Sequence, residues 1–353
     1  MYAHQVIEDL ESESKNIMDL IKRLSLQSDF KRDIKNNDEF SSAFARSTCL
    51  AFNMKQLSDK VKQAQKFHLG LQTNENCPVD INMKEPLFMA PPTSTIRPPY
   101  KLTYFDWPVN FRNLNQERKI YGSDDLAPIS NKRAILCEEV CKDVICTFVF
   151  NYINELRRWD ISPIGIISVI GKSFDCVSNG DIDKLIQSYI EYIPTYEHFD
   201  PGFVKFKKNA SSKYNSMVIQ LSPPMNKDEQ DHFVMENTDE LKVFASVLVL
   251  LSCKNITTET IPAPVKLNNK RKKSGKLPIF SYKTLVIKPT GKKQESTPKH
   301  LWNNRIHLSR GHFKTYTSEK PLFGSITGRF WWHDHVRGQN RDGVVMKDYE
   351  VKT

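Results

Sequence analysis

The sequence predicts an α+β protein with an N-terminal helical part, a mixed middle and a basic, β-rich C-terminal domain. Three observations carry this reading. Apolar residues recur at three- and four-residue spacing near the N-terminus. Short β-branched and aromatic runs, interleaved with helical patterns, fill the middle. Positive charge then concentrates beyond residue 260, in stretches that again look like strands. The expected divisions are residues 1–75 (helical), 76–108 (a Pro-rich connection), 109–260 (a mixed α/β body) and 261–353 (the basic β-rich domain).

In the first division, Ile17, Leu20, Ile21 and Leu24 fall on one helical face, and Leu50, Met54, Leu57, Val61 and Ala64 form a second amphipathic seam. Such a pair packs as a helical hairpin on the body or offers a docking surface to another protein. The stretch EPLFMAPPTSTIRPPYKLTYFDWP, residues 85–108, holds six prolines, which forbid a helix and favour an extended connection. Its aromatics Tyr100, Tyr104, Phe105 and Trp107 predict that it packs against the body. RAILCEEV, ICTFVFNYI and IGIISVIG read as strands. DIDKLIQSYIEYI and NTDELKVFASVLVLLSCKNI return to helical spacing, each with an Asp or Asn where a cap is wanted. Beyond residue 260, NNKRKKSGK reads as a Gly/Ser/Pro-punctuated basic loop. FSYKTLVIK, RIHLSRGHFKTY and GRFWWHDHVRG follow as three strand candidates.

The chain has 353 residues and a net charge of +10. Residues 261–353 contain 20 Lys and Arg against 6 Asp and Glu, which leaves 31 against 35 for residues 1–260. A mildly acidic body with a strongly basic end points to a polyanionic partner for that end, nucleic acid before a membrane surface. The seven cysteines are odd in number and scattered, the usage of a reducing compartment. VFASVLVLLSC, the longest apolar run, falls short of the ~20 residues that span a bilayer, and the N-terminus lacks a signal-peptide layout. The expected location is the cytoplasm, with no membrane partner.

The chemistry concentrates in RIHLSRGHFKTY, residues 305–316. On a strand, Arg305, His307 and Ser309 share one face, and Arg310, His312, Lys314 and Tyr316 share the other. A bulge at Gly311 could bring His307 and His312 together. The next strand adds Arg329, Trp331, His333 and His335 on one side. Guanidinium groups grip phosphates in bidentate fashion, aromatic rings stack on unpaired bases, and imidazoles move protons near neutral pH. In a binding reading, Lys270, Arg271, Lys272, Lys273, Lys276, Arg305, Arg310, Lys314, Arg329 and Arg337 meet phosphates while Trp331, Trp332, Tyr316 or Phe313 meets bases. In a cleavage reading, His307 and His312 act as base and acid on a 2′-hydroxyl and its leaving oxygen, with Arg310 stabilising the charge on phosphorus. A metal site would use His333, His335 and a neighbouring histidine, though no metal or cofactor is expected. The plainest alternative is a basic sheet whose histidines satisfy hydrogen bonds.

KLNNKRKKSGKLPIFSYKTLVI followed by RIHLSRGHFKTYT resembles a C-terminal arrangement of phage- and plasmid-borne proteins. Their characterised branch is the type V-A anti-CRISPR family that blocks production of the effector nuclease. The matching positions are Arg305, His307, Arg310, Gly311, His312, Phe313 and Tyr316, with the basic stretch from Lys266 to Lys276 and the segment PIFSY. The resemblance covers about the last ninety residues. FMAPPTSTIRPPYKL and RAILCEEV look like patterns of the same wider group. It implies a mobile-element accessory protein that engages RNA or a translating ribosome and suppresses a target gene through loss of its message. The acidic body would then select a target protein. Cutting would come from the protein itself or from a recruited host nuclease. A non-enzymatic DNA-binding or regulatory protein and a structural adaptor are the alternatives from other classes.

Overall fold

The computed structural model describes residues 1–27, 38–69, 97–108, 131–141, 144–169, 217–222, 225, 227–288, 307–309, 312–332 and 335–337. The helical pattern DIDKLIQSYIEYI lies outside them. The architecture is α+β, as expected: two N-terminal helices, a large mixed sheet, and further helices on the opposite face.

Helix α1 (Ala3–Ser25) and helix α2 (Asp38–Gln63) run antiparallel, with the Ser14 hydroxyl donating to the Ala51 carbonyl and Ser58 to Glu11. Val6, Ile7 and Leu10 of α1, Met54, Leu57 and Val61 of α2 and Ala64 just beyond it are buried against the sheet, so the second seam falls where its spacing puts it. Further along α1, Ile17 packs against this core and Ile21 is buried. Leu20, expected on that face, is 55% exposed.

The sheet has eight strands: β1 (Gln65–His68), β2 (Leu102–Pro108), β3 (Lys132–Cys141), β4 (Val144–Ile153), β5 (Arg158–Val169), β6 (Met217–Gln220), β7 (Ile256–Ile261) and β8 (Tyr282–Ile287). Their spatial order is β6-β5-β4-β3-β2-β1-β8-β7. β1 is parallel to both neighbours and every other pairing is antiparallel. One sheet therefore draws strands from all four divisions of the sequence, and the line between residues 260 and 261 falls inside β7.

Both faces of the central strands are covered, and strict alternation sorts their side chains. On β2, Tyr104 faces the core beneath α1 and α2. Phe105 and Trp107 enter a second core with Phe67 of β1, Ile135, and Val243, Phe244, Val247 and Leu248 of helix α4 (Thr238–Leu251). Ahead of α4, helix α3 (Lys227–Glu236) packs Val234 on Ile164 and Ile166. Asn237 stands at the α4 N-terminus as its spacing predicts, but its amide donates to the Ser162 hydroxyl at 2.7 Å and so ties the helix to the sheet.

β5 illustrates how sequence bends a strand. Phe148 pairs with Gly165 and Phe150 with Ile161, so Ser162, Pro163 and Ile164 face a single residue of β4. Pro163 lacks the N–H a regular ladder needs, and a bulge is where a strand tolerates that. Gly165 lets the Phe148 ring lie flat on the backbone, since a Cβ there would sit 2.5 Å from the ring. Cys49, Cys137, Cys146 and Cys253 are free and buried, and burial pushes the Cys49 and Cys253 thiols up to about 11. They behave as small core residues. Among the described residues no helix is long and apolar enough to cross a membrane.

Polar groups occupy the middle of the sheet beneath α1. Asp106 of β2 has no exposed surface and accepts from the Tyr2 backbone N–H at 2.5 Å and from His68 Nδ1 at 2.5 Å. The Tyr282 hydroxyl also donates to it, while accepting from Ala3 N–H at 2.7 Å. Two register positions away, Lys66 is 4% exposed, donates to the Lys62 and Ala64 carbonyls at 3.0 and 2.8 Å, and lies 4.2 Å from the Phe280 ring. Burial, with no carboxylate partner among the described residues, pulls its amine down to about 8 from an ordinary 10.5.

The unfolded chain therefore holds a proton on Lys66 between pH 8 and 10.5 that the folded chain has released, so this residue's contribution to stability rises with pH across that window. Denaturant titrations should show the wild type gaining on the order of 2–3 kcal/mol relative to Lys66→Met between these limits. Taking the difference removes the cysteine thiols, whose raised values act in the opposite sense above pH 9. A difference flat with pH would show that the amine is solvated.

Candidate nucleic-acid interface

Between β7 and β8 the run VKLNNKRKK forms helix α5 (Val265–Lys273), where the sequence had suggested a loop. Its composition explains the helix: after Pro264 at the N-cap position come residues of good or moderate helix propensity, with no Gly or Pro. Its end is a Schellman motif. Gly275 takes φ +68°, Lys276 N–H donates to the Arg271 carbonyl at 2.9 Å, and Gly275 N–H donates to the Lys272 carbonyl at 3.1 Å. Four cations in the last turn complement the negative end of the helix dipole.

α5 buries no residue completely, and polar contacts hold it in place. Asn268 donates to the Ile279 carbonyl at 2.8 Å and accepts from its N–H at 2.7 Å. Arg271 donates through Nε to the Leu277 carbonyl at 2.5 Å and through Nη2 to Glu8 of α1 at 2.7 Å, and that carboxylate also accepts from Leu277 N–H. Arg271 was expected on phosphate. Its guanidinium is instead taken up internally and orients the helix. Lys266, Lys270, Lys272, Lys273 and Lys276 are exposed, and none of them forms an ion pair among the described residues. Lys266, the first residue of the basic stretch that carries the resemblance, joins the expected phosphate-binding lysines on the exposed surface of the helix.

The segment around residues 305–316 forms two strands, β9 (His307–Ser309) and β10 (His312–Tyr316), pairing with β12 (His335–Arg337) and β11 (Gly328–Trp332) respectively. Three residue steps separate Ser309 from His312, and three separate Trp332 from His335. Gly311, where a bulge could fall, lies outside the described residues. The register sets His307 opposite Arg337 and His312 opposite Trp332. Arg305, Arg310, His333 and the side chains of His307, His312, His335 and Arg337 lie outside the described residues. The cleavage and metal readings rest on those groups.

Burial changes the role of Trp331. It is 5% exposed, packs with Leu250 and Cys253, and meets the Phe313 ring at 4.6 Å, so it is a core residue and leaves the set of base-stacking candidates. Asn255 clamps its backbone, accepting from Trp331 N–H at 2.9 Å and donating to the Trp331 carbonyl at 2.7 Å, just as a neighbouring strand would. Lys254 N–H adds a bond to the Arg329 carbonyl at 2.9 Å. On the opposite side of β10, Lys314 is exposed with its amine 5.0 Å above Tyr316, whose ring edge meets Phe330 at 5.8 Å. Arg329 is half-buried, and one of its terminal N–H groups is buried without a partner.

The structure thus presents two positive elements fixed to one body: α5 in the β7–β8 connection, and the β10–β11 hairpin held by Asn255. Asn255→Ala should strand a buried donor and a buried acceptor and cost about 2 kcal/mol. Amide exchange at Trp331 should accelerate while exchange in β3 and β4 stays slow. Uniform acceleration would mean the clamp supports the whole sheet.

The chain matches no family model, no curated protein and no solved structure.

Proposed function

We propose that the protein binds RNA through its phosphate backbone, in the manner of an anti-CRISPR-like mobile-element factor that suppresses expression of a target gene. One observation carries the reading. α5 holds its lysines at fixed positions on an exposed helix, and its single arginine anchors that helix to the body. A solvated charge run with no partner would not require Arg271, Asn268 and a Schellman cap to orient it. Backbone phosphates suit ammonium groups, which act as point charges without demanding planar geometry. The hairpin adds Lys314 beside the Tyr316 ring.

The resemblance of the last ninety or so residues to the anti-CRISPR family supplies the direction: a message or a translating ribosome as the RNA, and a target protein chosen by the acidic body. Binding without cleavage is the reading favoured here, because the described geometry consists of exposed cations suited to phosphates.

The test is binding of labelled single-stranded RNA across a salt series. The wild type should lose affinity linearly in log salt, and replacing Lys270, Lys272, Lys273 and Lys276 together by Ala should flatten that slope by roughly 2–3, at ~0.7 for each phosphate no longer neutralised. Arg271→Gln should lower the melting temperature as well, since it frees the helix. Tighter binding of duplex DNA at matched salt would favour a DNA regulator. A slope unchanged by the four substitutions would remove α5 from the interface.

A further inference from the structure

The connection from β10 to β11 ends in a tight turn that carries an aromatic residue in an unfavourable conformation. Leu322 and Ile326 pair as an isolated antiparallel bridge, with Leu322 N–H donating to Ile326 at 2.7 Å and the reverse bond at 2.9 Å. Ser325 N–H closes the turn on the Leu322 carbonyl at 3.3 Å. Leu322 is buried and anchors the loop. Two successive residues then take left-handed backbone, Phe323 at φ +52° and Gly324 at φ +77°. Glycine adopts this freely, whereas for a bulky residue it is an outlier. The strain is not recovered by packing, because Phe323 is 66% exposed. Asn or Gly would serve the turn better. The turn holds a rigid ring out into solvent.

Its surroundings indicate what the ring would meet. Lys314 and Lys320 on the same hairpin are exposed, with Glu319 as the one acid between β10 and the turn. Lys254 is also exposed, and its aliphatic stem runs across Gly328 at the base of the loop, where a Cβ would come within 2.7 Å of it. A flat apolar surface on a hairpin that also exposes Lys314 and Lys320 complements a ligand that is both planar and anionic. An unpaired nucleotide is such a ligand: its base offers a π-face and its phosphate a charge.

The geometry points to Phe323 as a base-stacking residue, making the hairpin tip a contact for single-stranded RNA, where α5 grips only phosphates. This rests on the RNA reading above and sharpens it: the preferred ligand is unpaired, since bases inside a duplex have no free face. Tyr316 and Trp331 are among the aromatics expected from the sequence to stack on bases, with Trp332 and Phe313. The first has its ring edge against Phe330 and the second is buried.

The experiment measures fluorescence anisotropy with the full chain, using labelled oligo(U) and an abasic ribose-phosphate oligomer of the same length. Phe323→Ala should weaken oligo(U) binding about 5- to 100-fold, the range of one lost base stack. It should leave the salt slope and the affinity for the abasic oligomer unchanged. Phe323→Tyr should retain affinity within about twofold, having kept a stacking ring. Phe323→Gly should lose affinity as Ala does while melting no lower than wild type, which separates a lost ring from a damaged fold. Unchanged oligo(U) affinity in Phe323→Ala, with wild-type salt dependence intact, overturns this proposal alone and leaves Phe323 to a protein contact. Equal loss on the abasic oligomer overturns it too, by making the ring a support for the loop. A wild-type protein without salt-dependent RNA affinity sinks both readings.

Discussion

Asp106 sits with no exposed surface on the middle of the sheet, and burying a carboxylate there is tolerable only because donors from separate parts of the chain converge on it. The Tyr2 backbone comes from the start of α1, His68 from β1 and Tyr282 from β8. Removing one partner from a buried set of this kind costs on the order of 3–5 kcal/mol. The constraint is topological as well as energetic. β1 is four residues long and parallel to both neighbours, a weak arrangement for so short a strand. Side chains on its buried face therefore secure its place between β2 and β8. Because β8 leads back to α5 and forward to the hairpin, the same convergence positions the whole basic surface relative to the acidic body.

Much of the middle was legible in the sequence. RAILCEEV, ICTFVFNYI and IGIISVIG became β3, β4 and β5, and the Asn237-led pattern became α4, because central strands and a core helix show their period when both faces or one stripe are apolar. Lys66 and Asp106 were illegible for the opposite reason. A lysine and an aspartate in short strands look like solvent-facing residues until tertiary structure surrounds them. The basic run misled similarly: its Gly, Ser and Pro punctuation suggested a loop, yet two anchors and a glycine stop suffice to hold a helix. The "SGK" at its end was a readable stop signal.

The candidate site shows a sharper limit. Composition could place positive charge near the C-terminus, but it could not say which cation is spent on structure. Arg271 and Lys270 are adjacent and chemically alike, and only helical phase turns one toward Glu8 and the other toward water. The same holds for adjacent aromatics. Strand parity and the position of Asn255 bury Trp331 and leave a neighbour on the other face, a difference of one residue that no propensity scale resolves.

The acidic residues of α1 complete the electrostatic picture. Glu8 holds Arg271, Asp9 accepts from Trp159 N–H, Glu11 pairs with Lys55 and Lys62, and Glu13 pairs with Arg158. Four carboxylates close together in sequence are thus committed to internal contacts. Glu8 neutralises the guanidinium that anchors α5 and leaves the helix's ammonium groups without a carboxylate among the described residues. Exposed ion pairs contribute little to stability, so leaving those lysines unpaired costs the fold almost nothing while producing a positive field that extends about a Debye length, near 8–10 Å at ordinary salt. A body that uses its own acids to fix a helix, while keeping them off its lysines, leaves that helix with an uncompensated positive surface among the described residues.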